Sequence, residues 1–280
     1  MRGMKMKTWL ITGASRGLGL VIARAALENG DNVIATARRP EKLSGLNDIA
    51  NGKLLVVKLE LNDTESVDKA VKAGIEAFGS LNILVNNAGY GQLGFFEEID
   101  AEAVETQIAV NFLGTLNVTR AVLPVMRQAG KGHIINIASI AGVEGFGGSS
   151  VYCASKHAMA GWSEGLAHEV ADFGIAVTCL YPGRFRTDFL DRSSVRYGSK
   201  SIDSYATESL KRIEELDAGN HVQPGDPEKL ASVLVQLTNM PAPPIILPLG
   251  SDALKVFEKK KEQFDSVIKK YGDLVSSTDY

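Results

Sequence analysis

Hydrophobic residues fall in seven short, unbroken runs along this chain, separated by longer stretches in which apolar and polar positions mix. The runs are "KTWLITG", "NVIATA", "KLLVVKL", "NILVNNAG", "HIINIAS", "IAVTCLYPG" and "PIILPLG". They are apolar throughout rather than alternating, which predicts strands buried on both faces of a parallel sheet. The stretches between them, such as "GLVIARAALENG" and "TESVDKAVKAGIEAFG", have helical spacing and close on glycine. Repeated strand-helix-strand order needs crossovers of one hand. The prediction is an α/β fold: one doubly wound, Rossmann-type parallel sheet of about seven strands with helices on both faces. Pro243, Pro244 and Pro248 hem the last run, which suits an edge strand.

Two segments break the rhythm. Residues 184–220 show no strand pattern and mix aromatics with Ser, Asp and Arg, which predicts a lid over a ligand site. After Gly250, "SDALKVFEKKKEQFDSVIKKYG" reads as an amphipathic helix with Ser251 as N-cap and a solvated lysine face. No linker or repeat divides the chain. Residues 1–250 are therefore expected to form one domain, with the lid inserted over 184–220 and a helix and tail over 251–280 packed on it.

Composition narrows the class. A chain of 280 residues, 45% hydrophobic and 22% charged, can build its core without disulfides or metal. A net charge of −3 and the lack of a long basic run give no sign of a nucleic-acid partner. Cys153 and Cys179 have no CxxC partner, which argues against a zinc site or redox pair and points to a reducing compartment. The apolar stretch in "MRGMKMKTWLITGASRG" is too short for a secretory signal, and no run reaches the ~20 apolar residues a bilayer needs. A cytoplasmic protein without membrane contact is expected.

The first run ends in "TGASRGLG", placing Gly13, Ser15, Arg16, Gly17, Leu18 and Gly19 between a strand and a helix. Glycines there let backbone N–H groups approach a pyrophosphate at the helix N-terminus. An NAD site usually carries an acid about 20 residues further on, to bond the ribose 2′-hydroxyl. Here the second run ends "ATARRP", with Arg38 and Arg39 where an acid would stand. Arginine matches a 2′-phosphate with a planar fork, so Arg38 and Arg16 point to NADP(H). Arg39 reads equally well as a solvated surface residue.

In "SSVYCASKHAMAG", Tyr152 and Lys156 lie one helical turn apart. A phenol has an ordinary pKa of about 10, and a neighbouring ammonium favours the phenolate. The pair predicts an acid–base group acting near neutral pH. Ser139 ends the preceding strand, where ligands of open α/β sheets bind. Asn111 sits inside an apolar helix and must satisfy its amide, which reads first as a structural tie.

Taken in order, TGxxxGxG, NNAG, a serine thirteen residues before YxxxK, and the "YPG" turn give the chain a specific resemblance to the short-chain dehydrogenase/reductase family over about its first 250 residues. The resemblance implies a catalytic tetrad of Asn111, Ser139, Tyr152 and Lys156. Tyr152 would protonate a carbonyl oxygen that Ser139 holds. Lys156 would lower the tyrosine pKa and bond the nicotinamide ribose, and Asn111 would hold a water linking the lysine to solvent. It further implies cofactor contacts at Asn87, Ala88 and Gly89, and at Pro182, Gly183 and Thr187. The family's aspartate after the third strand is here Glu60, followed by Leu61 in "KLELND", which touches only the adenine contact.

The substrate is read from aromatic and apolar residues near these motifs. Tyr90, Phe95, Val143, Glu144, Phe146, Phe185, Phe189 and Tyr197 are expected to form the wall around Ser139, favouring a medium or bulky apolar carbonyl. The expected activity is NADPH-dependent reduction of an aldehyde or ketone, reversible as an alcohol dehydrogenase. The alternative is a catalytically silent NADP-sensing protein of the same fold. The C-terminal helix could block the edge through which shorter family members form tetramers, so a homodimer or a monomer is the suggested assembly.

Overall fold

A computed structural model describes residues 6–280; the opening of the chain, Met1 to Lys5, lies outside the described residues. The elements run β1 (Thr8–Ile11), α1 (Gly17–Glu28), β2 (Asn32–Ala37), α2 (Asn47–Ala50), β3 (Leu54–Lys58), α3 (Thr64–Phe78), β4 (Ile83–Asn86) and β5 (Gly91–Leu93). They continue α4 (Ala101–Ile108), α5 (Gly114–Ala129), β6 (Gly132–Ile137), α6 (Ser150–Val170), β7 (Ile175–Pro182) and β8 (Val195–Tyr197). The last are α7 (Ala206–Ala218), α8 (Pro227–Leu237), β9 (Ile246–Leu249) and α9 (Ser251–Ser276).

Seven strands form one parallel sheet in the order β3-β2-β1-β4-β6-β7-β9, and each of the seven apolar runs supplies one of them. The runs are continuous because both faces are covered. Along β1, Trp9 and Ile11 face a core shared with α1 and α8, while Leu10 faces the opposite core with Val118, Val122 and Met126 of α5. The proline-rich strand β9 takes the edge. Strand order reverses between β1 and β4, so their carboxyl ends open a crevice at the switch point.

Three expectations change. The lid contains a strand: β8 pairs in parallel with β5 through Gly91–Val195, Gln92–Arg196 and Leu93–Tyr197. Three-residue strands are too short to leave a periodic signal. Helix α9 starts at Ser251 but its N-cap is Gly250, whose φ of +100° suits glycine, so Ser251 is the first helical residue. Only the first turns of α9 pack on the domain. Ala253 is buried and Phe257 meets Tyr181 edge-on at 5.2 Å, whereas Phe264, Val267, Ile268, Leu274 and Val275 are exposed.

Among the described residues, one helical run, Ala101–Ala129, is long and apolar enough by length and composition to cross a membrane. Here it lies along the sheet, with Val118, Val122 and Met126 in the core, and its apolarity serves packing on that face.

Candidate active site

The turn from β1 into α1 is shaped by backbone that side chains would obstruct. Gly13 and Gly17 have φ of +67° and +53°. A Cβ on Gly19 would lie 2.4 Å from the Gly13 carbonyl oxygen and 2.5 Å from Asn87 Nδ2. The turn is tied to the end of β4: Thr12 Oγ1 accepts from the Asn87 and Ala88 amides at 3.0 and 3.1 Å. Asn87 Nδ2 in turn donates to the Thr12 and Gly13 carbonyls at 3.0 and 3.2 Å. Thr12, the first residue of TGxxxGxG, carries half of this tie.

A cavity of about 710 Å³ lies over the carboxyl ends of the strands. Gly13, Ser15, Arg16, Gly17 and Leu18 line it, as do Asn87, Ala88 and Gly89. Gly19 does not: it is a packing glycine that lets α1 approach the β4 end, a correction to its reading as a cofactor contact. Glu60 and Leu61 line the cavity beyond β3, and Pro182, Gly183 and Thr187 line it beyond β7. A Cβ on Gly183 would lie 2.0 Å from Asp252 Oδ1, which also receives the neighbouring chain: Asp252 Oδ2 accepts from the Arg184 amide at 2.7 Å. The cradle of bare backbone and the length of the cavity suit an extended dinucleotide.

The basic residues divide. Arg38 and Arg39 both line the cavity and have no carboxylate within ion-pair distance among the described residues, and Lys42 joins them there. Arg16 instead reaches the lid. Its Nη1 donates to Ser193 Oγ at 2.5 Å, its Nη2 to the Ser193 carbonyl at 2.7 Å, and its Nε lies 3.5 Å from Asp188 Oδ2. The lid thus rests directly on the glycine turn.

Strand β6 and helix α6 bring the acid–base group together. Tyr152 and Lys156 lie one turn apart on α6 and are buried, with Lys156 Nζ 5.8 Å from the Tyr152 ring centroid. Lys156 Nζ donates to the Ile137 carbonyl at 2.8 Å. Ser139 follows β6, accepts from the Ala141 amide at 3.1 Å, and lines the same cavity as Tyr152 and Lys156. Burial pushes the Tyr152 phenol well above the ordinary tyrosine range, while the Ser139 hydroxyl acts in the opposite direction. This corrects the expectation of a phenol eased toward phenolate. Desolvation is the largest cause and keeps the phenol neutral. The same desolvation lowers Lys156 from 10.5 to about 8, with Cys179 opposing weakly.

Asn111 lies fully buried in a π-helical turn over Ala109–Leu113 that joins α4 to α5. Such turns often mark functional sites. Its Oδ1 accepts from the Tyr90 amide at 3.1 Å, and its Nδ2 donates to the Tyr90 carbonyl at 2.9 Å and Ser155 Oγ at 3.2 Å. Its side chain therefore fixes the Gly89–Tyr90 turn, and it makes no hydrogen bond to Lys156.

Only part of the expected substrate wall reaches the cavity. Tyr90, Phe185 and Phe189 line it, and Phe189 lies 5.9 Å from the Tyr152 ring. The other five do not line it. Phe95 stacks on Tyr205 at 4.8 Å, and Val143 packs against the core cluster of Ala138, Met159, Cys179 and Tyr181. Glu144 pairs with Lys259 of α9 at 2.6 Å. Phe146 and Tyr197 pack around Leu93, Cys153 and Val195 beneath the lid. In their place the wall is completed by Ile140, Leu190, Leu216, Arg192 and Arg196. No sequence signal separates Leu190, Arg192, Arg196 and Leu216 from ordinary lid residues, and Ile140 lies beside Ser139 in the turn after β6.

The comparisons agree with this arrangement. The short chain dehydrogenase family model matches residues 7–197. The chain is 40% identical over 274 residues to oxidoreductase BOA17 of Botryotinia fuckeliana, covering 96% of this chain and 97% of that protein. It is 37% identical over 262 residues to the 3-ketodihydrosphingosine reductase of Bacteroides thetaiotaomicron, covering 92% and 93%. A solved short-chain dehydrogenase from Streptomyces avermitilis superposes with a TM-score of 0.90 at 35% identity, over 99% of this chain and 100% of that one. By sequence match, sheet order and site arrangement together, the chain belongs to the short-chain dehydrogenase/reductase family of oxidoreductases.

Proposed function

We propose that this protein reduces an aldehyde or ketone to an alcohol with NADPH, reversibly. The observation that carries the reading is the neutral, buried Tyr152 phenol lining one cavity with Ser139 and Lys156, next to a glycine cradle and two arginines without an ion-pair partner among the described residues. Gly13, Ser15, Gly17 and Leu18 would hold the pyrophosphate, and Arg38 and Arg39 the 2′-phosphate. Bound NADPH would supply the hydride to the carbonyl carbon. The chain supplies the proton: Ser139 holds the carbonyl oxygen while the Tyr152 hydroxyl protonates it, and solvent restores that proton afterwards. Lys156, when charged, stabilises the phenolate left behind. Asn111 holds the Gly89–Tyr90 turn at the cavity wall. The similarity to a protein named 3-ketodihydrosphingosine reductase supports the direction of the reaction. Apolar Phe189, Leu190, Ile140 and Leu216 support a substrate with a sizeable apolar body. Two buried free thiols suit a cytoplasmic setting.

The test is NADPH consumption against a broad panel of aldehydes and ketones, with Tyr152→Phe alongside and Arg38→Ala assayed for binding of NADPH and NADH. Turnover lost in Tyr152→Phe, and NADPH affinity lost selectively in Arg38→Ala, support the reading. Tight NADPH binding without turnover on any carbonyl would overturn the activity. Equal affinity for NADH and NADPH, unmoved in Arg38→Ala, would overturn the cofactor choice.

A further inference from the structure

The substrate half of the cavity contains a polar pair that the proton-transfer chemistry does not use. Tyr90 lines the cavity, yet its hydroxyl is buried and meets no hydrogen-bond partner among the described residues. Buried hydroxyls are almost always satisfied, so this one has a bond to gain if the ring turns it toward an oxygen that a ligand brings. Its backbone is held on both sides: Asn111 bonds its amide and carbonyl, and Gln107 Nε2 donates to the same carbonyl at 3.1 Å. The backbone that carries the ring is therefore fixed before any ligand arrives. Burial raises the Tyr90 pKa, so the phenol stays a donor.

Over the Tyr90 ring, 4.9 Å from its centroid, stands the guanidinium of Arg196 on β8. Arg196 also lines the cavity, and among the described residues no carboxylate lies within ion-pair distance of it. The acids that line the cavity are engaged elsewhere. Asp188 faces Arg16, Glu215 faces Arg212 at 3.4 Å, and Asp63 caps α3 through the Glu65 and Ser66 amides. Glu60 stands at the far end, beyond β3. Stacking on the ring pre-orients the guanidinium while leaving its N–H edge free, the form in which arginine takes a carboxylate.

We propose that Tyr90 and Arg196 form an anion subsite, and that the substrate is an oxo acid carrying a carboxylate in addition to the carbonyl reduced at Tyr152. The inference rests on the reductase reading for its substrate but not for its binding. It keeps the apolar body expected of the substrate and adds a charged group to it. Arg192, which stacks on Tyr197 at 5.9 Å and lines the same wall, adds positive potential at the mouth.

Two experiments test it. The first compares kcat/KM for oxo carboxylic acids of increasing chain length with their methyl esters. A preference for the acid of about threefold to fivefold is expected, from an ion pair at an exposed arginine. In Arg196→Gln the acid-to-ester ratio collapses toward unity through KM, and Tyr90→Phe loses part of it. Equal constants for acid and ester in the wild type, or a preference that survives Arg196→Gln, overturn the subsite. The second needs no turnover: calorimetric binding of saturated monocarboxylic acids to the NADP⁺-loaded protein, with the matching primary alcohols as controls. Acid binding that is lost in Arg196→Gln supports the subsite even if no carbonyl is reduced, in which case only the reductase reading fails. Acids that bind no better than alcohols overturn the subsite and leave the reductase reading to its own test.

Discussion

Replacing Lys156 with methionine isolates the cost of burying an ammonium in this site. Lys156 is buried on α6, and desolvation lowers its pKa from 10.5 to about 8. At about 1.36 kcal/mol per unit, that shift is worth about 3 kcal/mol against the folded state wherever the lysine is charged in both states. The folded pKa lies below the unfolded one, so the unfolded chain binds more protons between about pH 8 and 10.5. Stability from this group therefore rises with pH through that window. Lys156→Met has no such group. The bond lost to the Ile137 carbonyl is a roughly constant offset of about 1 kcal/mol against the variant. Other lysines titrate alike in both proteins and cancel in the difference. Denaturant unfolding of both proteins at several pH values reads that difference. Wild type should gain on the variant by about 1.4 kcal/mol per unit above pH 8, or about 2 kcal/mol by pH 9.5. A difference flat across that range, or moving toward the variant, would refute a desolvated lysine at this position.

Two further outcomes follow from the same packing. Burial holds His133 neutral, lowering its pKa from 6.5 to about 4, so the unfolded chain takes up the extra proton as pH falls through that interval. Wild type should lose about 3 kcal/mol of stability between pH 6.5 and 4 that His133→Gln does not lose; parallel acid unfolding curves would contradict this. Gly19→Ala places a Cβ 2.4 Å from the Gly13 carbonyl oxygen, against backbone that cannot yield, and so displaces the turn. NADPH binding by calorimetry should weaken by about tenfold or more, since a bidentate or charge-assisted contact is worth that much; unchanged affinity would show that the turn is not the cradle.

The sheet was legible because strands covered on both faces must be apolar at every position, and β1 meets that demand with Trp9 and Ile11 on one side and Leu10 on the other. Gly13 and Gly17 were legible for a similar reason, since their backbone conformations leave little choice of residue. Gly19 was visible as a glycine, but its cause was not: the groups it would strike come from its own turn and from Asn87, distant in sequence. The substrate wall failed in the same way. Phe95 and Glu144 are placed by Tyr205 and Lys259, more than a hundred positions downstream, and pockets draw on the same residue types as cores. Strand β8 was missed because three residues carry no period, yet it is the element that sets Arg196 over Tyr90.

The proton-transfer pair shows why the number of residues between two groups does not fix their chemistry. Sequence places Tyr152 one turn before Lys156, and in water that spacing would ease the phenol toward phenolate. Inside the fold one cause acts on both groups. Removing water raises the pKa of an acid and lowers that of a base, so burial drives each toward its uncharged form. A neutral phenol is a proton donor, and it cannot act as a base until something stabilises its anion. The lysine can do so only while charged, which its pKa of about 8 permits at neutral pH and withdraws above it. The proposed proton donation to a carbonyl needs only the neutral phenol that is present at neutral pH. Abstraction from an alcohol must first create the phenolate that burial opposes.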